Sequence, residues 1–459
     1  MANDNTAGKP QYWALRGLQI LFQETPILGL VNRQFAPALA RAGDQVNAYR
    51  ADKRVTRRKD ATDANTENDA NLTAVPVVLD QYFFDAFILN DEEDALSLPE
   101  LTQLHALPAI QTIATGVSRA ILGRVHAFLQ QGSPEKRAGR LDSMTKDNAA
   151  DFILEAEQVL KDNLAPVNGM KVAVVHHTAE TKLMRSETFE RADARMANGT
   201  VMTGRVGKVY NVNVVMSQDV NYCKAANAET EAKAVNNASG YAIGDTAITC
   251  DGGATNFVPG EYVNVAGNDQ PTFHVTGTGS ATALILNEGL KYAVVDDAVV
   301  THYIKCENEA TERAAGYKKT MTFTHAAGDN LQEGQIISFG TGASRHTYTV
   351  IEVSATASTT TTVLLDRPLD ATVASGADAF PGPGGSMNPV LHRDAIAFVS
   401  RPMKAKSGKG VQSAVVNFDG VGIRVQEADE LSASGTRYVV DLLAGVSVLD
   451  EDLLCVMLG

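Results

Sequence analysis

Val55–Asp69 reads VTRRKDATDANTEND, one valine followed by no large apolar side chain from Thr56 to Asp69. A segment of that composition cannot build a core of its own. Its flanks are different. Residues 43–53, GDQVNAYRADK, partly alternate, and residues 72–89, LTAVPVVLDQYFFDAFIL, are rich in β-branched and aromatic side chains. Both suit extended chain on a half-buried surface. Two strands bounding a polar tip make a long two-stranded ribbon, with Arg54, Arg57, Arg58, Lys59, Asp60, Asp63, Asn65, Glu67, Asn68 and Asp69 between them. A lone hairpin is marginal in water, so the contacts that stabilise this one come from outside it.

The 459 residues leave room for two to four domains, each with its own core. Hydrophobic content of 44% with 20% charged residues is that of an ordinary soluble chain. No run of eighteen apolar residues is present, which argues against a membrane span. The opening MANDNTAGKPQYW lacks the basic-then-apolar pattern of an export signal. The net charge of −14 counts against a general nucleic-acid binder, which needs a basic stripe to displace counterions. An acidic surface suits either solubility at high concentration or the enclosure of nucleic acid without adhesion to it. Cys223, Cys250, Cys306 and Cys455 lie far apart with no CxxC, which points to reduced thiols rather than a zinc or redox site. Spacing leaves a disulfide within 223–306 open as the alternative.

Residues 11–45 offer short helical and extended pieces without a core, the mark of an arm that packs on something else. Beyond the ribbon, Pro108, Ile110, Ile113, Val117, Ile121, Val125 and Leu129 recur at helical spacing. They predict a helix over 108–131, about 35 Å long at 1.5 Å per residue, opened by Pro108 and stopped by Gly132 and Pro134. Residues 141–220 read as α/β. Asp147 is placed to cap a helix with Phe152, Ile153, Ala156, Val159 and Leu160 inward; MKVAVVH is a buried strand, Thr178 opens a further helix, and 203–220 is a turn and strand. From about 221 helical periodicity gives way to Gly, Thr, Ser, Val and Asp with turn signals every eight to twelve residues, an all-β signature.

That β region repeats. Gly260 aligns with Gly334, Thr272–Val275 with Thr347–Val350, Leu284–Leu286 with Val363–Leu365, and Leu290 with Leu369. The period, roughly 75–79 residues, is too long for a solenoid and reads as two tandem small barrels or sandwiches. FPGPGGSMNP ends the pair as a linker, and strands return past 389. The expected organisation is an N-terminal arm (1–45), a loop and return strand (46–90), a peripheral domain with the long helix (91–140), a domain formed by 141–220 plus 389–459, and inserted β modules at 221–312 and 313–388.

Sites for chemistry are hard to find. There is no GxxxxGK[ST], no GxGxxG opening a helix, and no GxSxG elbow. Gly277–Ser280 is followed by β sequence and reads as a turn. His176–His177 is the best metal candidate, but neighbours on a strand face opposite ways. Asp296–Asp297 and Asp91–Asp94 lack calcium-loop spacing, and Asp91–Asp94 suits the positive end of the long helix instead. The chain is read as no enzyme, with no catalytic, cofactor or metal residues.

The order of these parts resembles the major capsid proteins of tailed bacteriophages with the Hong Kong 97-type fold, over roughly 15–220 and 389–459. GDQVNAYRADKR leading to VPVVLDQYFFDAFILNDEED is similar to the extended loop and return strand of that α+β fold, and helix 108–131 to its spine helix. MKVAVVHHTAETKLM, ERADARMANGTVMTGRVGKVYNVNVVMSQDV, HRDAIAFVSRPM and GTRYVVDLLAGVSVLDEDLLCVML resemble its axial domain. A tandem inserted pair departs from the family pattern. The resemblance implies a structural subunit that self-assembles into hexamers and pentamers of an icosahedral shell around double-stranded DNA. It implies assembly in the host cytoplasm, a place in the virion, and a scaffolding protein, a portal and a decoration protein as partners, with no membrane and no sequence-specific DNA contact. The extended loop of such a fold lies across a neighbouring copy, so Arg54, Arg57, Arg58 and Lys59 could meet Asp91, Glu92, Glu93 and Asp94 there. Exposed pairs of this kind contribute about 0–1 kcal/mol each, and repetition around closed rings makes them count. The alternatives are a surface adhesin or carbohydrate-binding protein using the tandem modules, which calls for exposed aromatics, and an α/β enzyme with a β appendage, which calls for a site.

Overall fold

The computed structural model describes residues 9–33, 45–51, 72–90, 101–125, 137–139, 149–166, 170–186, 207–223, 233–252, 257–266, 273–280, 283–286, 289–290, 292–302, 306–309, 311–328, 330–340, 346–382, 385–406, 408, 410–430 and 435–458. Two compact units divide the chain: 1–23, 31–113 and 394–451 form the first, and 24–30, 114–393 and 452–459 the second.

The first unit is built on antiparallel strands. β1 (Gln45–Ala51) and β2 (Leu72–Val78) pair in register from Gln45↔Val78 to Ala51↔Leu72. β3 (Gln81–Asn90) follows a break at Leu79–Asp80. The run 72–89, expected as one return strand, is therefore two. The second leaves the ribbon to pair with strand Gly435–Val448, from Gln81↔Ala444 to Asn90↔Gly435. The opposite edge of Gly435–Val448 carries Val421–Glu430 and Ile396–Arg401, and Val411–Phe418 pairs beyond Val421–Glu430. Helix α1 (Lys9–Glu24) closes one face of this sheet. Its Trp13 is buried, sits edge-on to Tyr438 at 4.6 Å between ring centroids, and donates from Nε1 to Thr102 Oγ1 at 2.9 Å. Tyr438 in turn stacks on Phe87. Gly17 lets α1 come close to its neighbour, since a Cβ there would lie 2.9 Å from Ile110 Cδ1.

The long helix differs from expectation at both ends. Among the described residues the helical path is already present at Leu101, runs through a π-helical turn at Thr102–Ala106, and continues as α2 (Leu107–Leu122). Pro108 thus lies inside the helix rather than opening it. A proline has no N–H to donate and its ring crowds the carbonyl one turn back, and a π turn is one way to absorb both. The helix stops at Leu122, whose carbonyl accepts from Asn221 Nδ2 at 3.1 Å. A Cβ at Gly123 would lie 3.2 Å from Thr349 Oγ1 and 3.3 Å from Asp366 Cβ. At sixteen residues α2 spans about 24 Å. The division between the two units falls within it.

In the second unit a mixed sheet runs in the order Arg137–Gly139, Leu454–Leu458, Gly385–His392, Lys171–Val175, Val212–Met216, Lys208–Val209, with Tyr222–Cys223 also paired to Gly385–His392. Helices α3 (Ala149–Asp162) and α4 (His177–Met184) join its core, where Phe152, Ile153, Ala156, Leu160, Ala173, Val175, Leu183, Val212, Val390, Cys455 and Met457 pack together. Asp147 lies outside the described residues. The expected grouping of all of 389–459 with 141–220 is corrected here. Only Gly385–His392 and Leu454–Leu458 join that sheet, while 394–451 belongs to the first unit. The reason is pairing: Gly435–Val448 offers two full edges, and β3 takes one of them across its whole length.

Two groups of six strands follow the same path. Cys306–Asn308, Met321–Thr324, Ile336–Phe339, His346–Thr356, Thr360–Leu365 and Asp378–Pro381 close into a barrel in the order first, second, fifth, fourth, third, sixth. Lys233–Ala234, Ala247–Thr249, Tyr262–Val265, Phe273–Ser280, Ala283–Leu286 and Val299–His302 form a sheet in the same cyclic order, and a bridge between Val235 and Cys250 joins its ends. Small details recur. Val258 N donates to Glu261 Oε2 at 2.9 Å, and Gln332 N to Gln335 Oε1 at 2.9 Å. Gly260 (φ 101°) and Gly334 (φ 83°) occupy the same turn, where left-handed backbone favours glycine. The groups also touch: a Cβ at Gly260 would lie 2.7 Å from Phe380 Cε2 and 3.0 Å from the Gly340 carbonyl.

Candidate assembly surface

The ribbon has two unlike faces because side chains alternate along a strand. Inward, Ala48 and Val77 are buried with Leu79, Ala397, Val399, Leu443 and Leu449, and Val46 and Val75 pack against them. Outward, Tyr49 is 62% exposed and Leu72 66% exposed. Arg50, near the end of the paired strands that leads to the tip, is tied to the same chain through Asp450, with Nη1 2.9 Å from Oδ1. Pro76 pairs with Asn47 in the two-stranded ribbon, a setting that tolerates a residue with no N–H.

β3 adds a second exposed row. Tyr82, Phe84 and Ile88 are exposed while Leu89 is buried, and the rings of Tyr82 and Phe84 stack at 6.0 Å. Beside this row lies a buried ion pair that sequence reasoning did not single out. Arg424 Nε donates to both oxygens of Asp441 at 3.0 and 3.2 Å, with side chains 5% and 1% exposed. Tyr82 donates its hydroxyl to Asp441 Oδ2 at 3.0 Å, and Arg424 Nη1 donates to the Lys404 carbonyl at 3.0 Å. Burial and the Asp441 charge push the Tyr82 hydroxyl pKa up. The sequence signal was an arginine in GIRVQ and an aspartate in VVDLLAG, each amid apolar neighbours; their register, Arg424↔Asp441, is a tertiary fact.

Arg54, Arg57, Arg58 and Lys59, with Asp91, Glu92, Glu93 and Asp94, all lie outside the described residues. His176 and His177 are not strand neighbours on opposite faces. The strand ends at Val175, His176 is the N-cap of α4, and its Nδ1 accepts from Thr178 N at 3.4 Å. The two rings lie 3.9 Å apart, because the cap residue and the first helical residue turn onto one side. His176 rather than Thr178 therefore opens this helix, and it runs to Met184. Among the described residues no group of three or more His, Cys, Asp or Glu could hold a metal ion, and no helix is long and apolar enough to cross a membrane. Cys250, Cys306 and Cys455 are buried free thiols.

Burial, reinforced by the nearby His177, lowers the His176 pKa from 6.5 to about 4. The unfolded chain then binds more protons than the folded one between those values, so stability falls as pH drops from about 6.5 toward 4 and levels off below. The ceiling is about 3 kcal/mol at 1.36 kcal/mol per pKa unit. His176→Asn, which keeps a capping acceptor, is expected to flatten that dependence. Hydrogen exchange of the Lys171–Val175 amides at pH 7 and pH 4.5 checks it; equal pH sensitivity in both proteins would refute the assignment.

No family model matches the chain, and no curated protein matches it. Solved structures do. The chain is similar to phage capsid structures. A structure from Mycobacterium phage Che8 is 12% identical with a TM-score of 0.44, covering 94% of this chain and 90% of that one. The capsid of Cyanophage P-SCSP1u is 10% identical at a TM-score of 0.41, covering 91% and 83%. The mature capsid of bacteriophage PhiM1 is 9% identical at 0.39, covering 90% and 81%.

Proposed function

We propose that this chain is the major capsid protein of a tailed bacteriophage, a non-catalytic subunit that self-assembles into hexamers and pentamers of an icosahedral shell around double-stranded DNA. What carries this reading is the ribbon. Two strands held by Arg50 and a small apolar cluster present exposed Tyr49 and Leu72 on the outward face, and they lead to a tip, 52–71, too polar for a core. Its inner face packs on its own chain, but an exposed apolar outer face leading to an uncored tip is a poor use of chain unless another surface receives it. A neighbouring copy meets the need, and each contact can be weak because closed rings repeat it. Arg54, Arg57, Arg58 and Lys59 are the proposed donors, and Asp91, Glu92, Glu93 and Asp94 of the adjacent copy the proposed acceptors. The Hong Kong 97-type arrangement, with 221–312 and 313–388 as inserted modules, belongs to the same proposal, as do a scaffolding protein, a portal, a decoration protein and assembly in the host cytoplasm.

Deleting 56–69 tests the reading. The full chain is expected to give shells, or rings of five and six, by negative-stain electron microscopy and analytical ultracentrifugation with its co-expressed genome neighbours. The deletion variant is expected to remain folded by circular dichroism and to sediment as monomer or small oligomers. A full chain that stays monomeric under every condition removes the capsid reading.

A further inference from the structure

The two six-stranded groups share one strand order, so each position in one has a counterpart in the other, and differences between counterparts are not demanded by the scaffold. One difference is concentrated. At one end of the first group, segments 241–245 and 290–297 are joined by Tyr241 N to Val294 O (2.8 Å), Val294 N to Tyr241 O (2.9 Å) and Gly244 N to Leu290 O (2.8 Å). The second group repeats the arrangement, with Arg313 N to Val373 O (2.9 Å), Val373 N to Arg313 O (2.8 Å) and Gly316 N to Leu369 O (2.7 Å). The first pair of segments exposes Ile243 (69%), Tyr292 (40%) and Val295 (72%). The counterparts in the second are Ala315, Ala371 and Ala374. The charges differ as well. The apolar end carries exposed Asp296 and Asp297 and half-exposed Asp245, whereas the alanine end carries exposed Lys318 and Lys319 alongside Glu312 and an Asp370 already held by Arg367.

An exposed apolar end edged with carboxylates and a small-residue end whose edge carries exposed Lys318 and Lys319 are complementary, and both belong to this chain. We infer that the 241–245/290–297 end of one copy docks on the 313–319/369–374 end of a second copy, with Ile243, Tyr292 and Val295 against the alanines and Asp296 and Asp297 toward Lys318 and Lys319. The contact is heterologous: it joins two different surfaces, and such contacts run head to tail into closed rings or open chains. Within one chain the two groups touch where Gly260 meets Phe380 and the Gly340 carbonyl. The inference rests on the self-assembly reading above and adds the second surface through which copies meet.

Two variants of the full chain test it, each adding one cysteine to the four native ones, Val295→Cys and Ala315→Cys, co-assembled and oxidised, with the unsubstituted chain as the control for the native thiols. The mixture is expected to give a disulfide-linked dimer on non-reducing gels, with each variant alone giving little. The doubly substituted chain should give a ladder. Lys318→Glu with Lys319→Glu is expected to lower the cross-linked fraction at least fivefold, and high salt to lower it in the wild-type background. Val295→Cys linking to itself as readily as to Ala315→Cys would overturn the proposal, as would assembled shells that show no cross-link. A chain that never assembles would remove both this inference and the capsid reading, so the two failures are distinguishable.

Discussion

Asp441→Ala is expected to destabilise the first unit by about 3–5 kcal/mol, the usual cost of stripping one partner from a buried ion pair. Arg424 is 5% exposed and gives both Asp441 oxygens an Nε hydrogen bond. Without the carboxylate the guanidinium keeps the Lys404 carbonyl at 3.0 Å but has no compensating charge, and the Tyr82 hydroxyl loses its acceptor as well. The paired replacement Arg424→Met with Asp441→Leu removes both charges and is expected to fall within about 1 kcal/mol of the parent or to exceed it. The chain contains one tryptophan, Trp13, and it packs in this same unit against Tyr438. Urea unfolding followed by its fluorescence therefore reads this unit directly. A single substitution costing less than about 1 kcal/mol would mean that water reaches the pair.

Trp13→Ala is expected to cost a similar amount, about 3–5 kcal/mol, for the loss of a large buried aromatic. Trp13 is 1% exposed, touches Phe87 at 5.9 Å and Tyr438 at 4.6 Å between centroids, and supplies the hydrogen bond that Thr102 Oγ1 accepts. Trp13→Phe keeps much of the ring contact and gives up the donor, so about half the loss is expected. Circular dichroism melts check the series, since the fluorescent reporter is gone. If alanine is tolerated with little change, α1 does not hold the sheet face together.

These two sites differ in how far they could be read from sequence. Trp13 belongs to a stretch read as an arm without a core, a reading silent about its partner. The partner, Tyr438, is more than four hundred residues away. Arg424 and Asp441 each appeared as a polar interruption in an apolar strand, and only their register opposite one another makes them a pair. His176 shows the reverse case. Its neighbour was seen, but the geometry was taken from a strand when the chain had already turned into a helix cap. The helix 101–122 was legible in its apolar spacing and misread at both ends. Spacing reports which face is buried, whereas the start depends on how Pro108 is absorbed and the stop on what packs against Gly123.

The ribbon needed no tertiary information: alternating flanks around a polar tip dictate two paired strands, and Gln45↔Val78 through Ala51↔Leu72 pair. The internal repeat was likewise written in the sequence, because matched glycines and apolar triplets mark matched turns and strands. What the tertiary structure alone decided is which segments share a sheet. Gly435–Ala444 pair with β3, and residues 394–451 belong to its unit rather than to that of 171–175. Local patterning fixes the periodicity and the faces of a strand. The choice of neighbour depends on which free edge of matching length the rest of the chain leaves available, and that is a property of the whole fold.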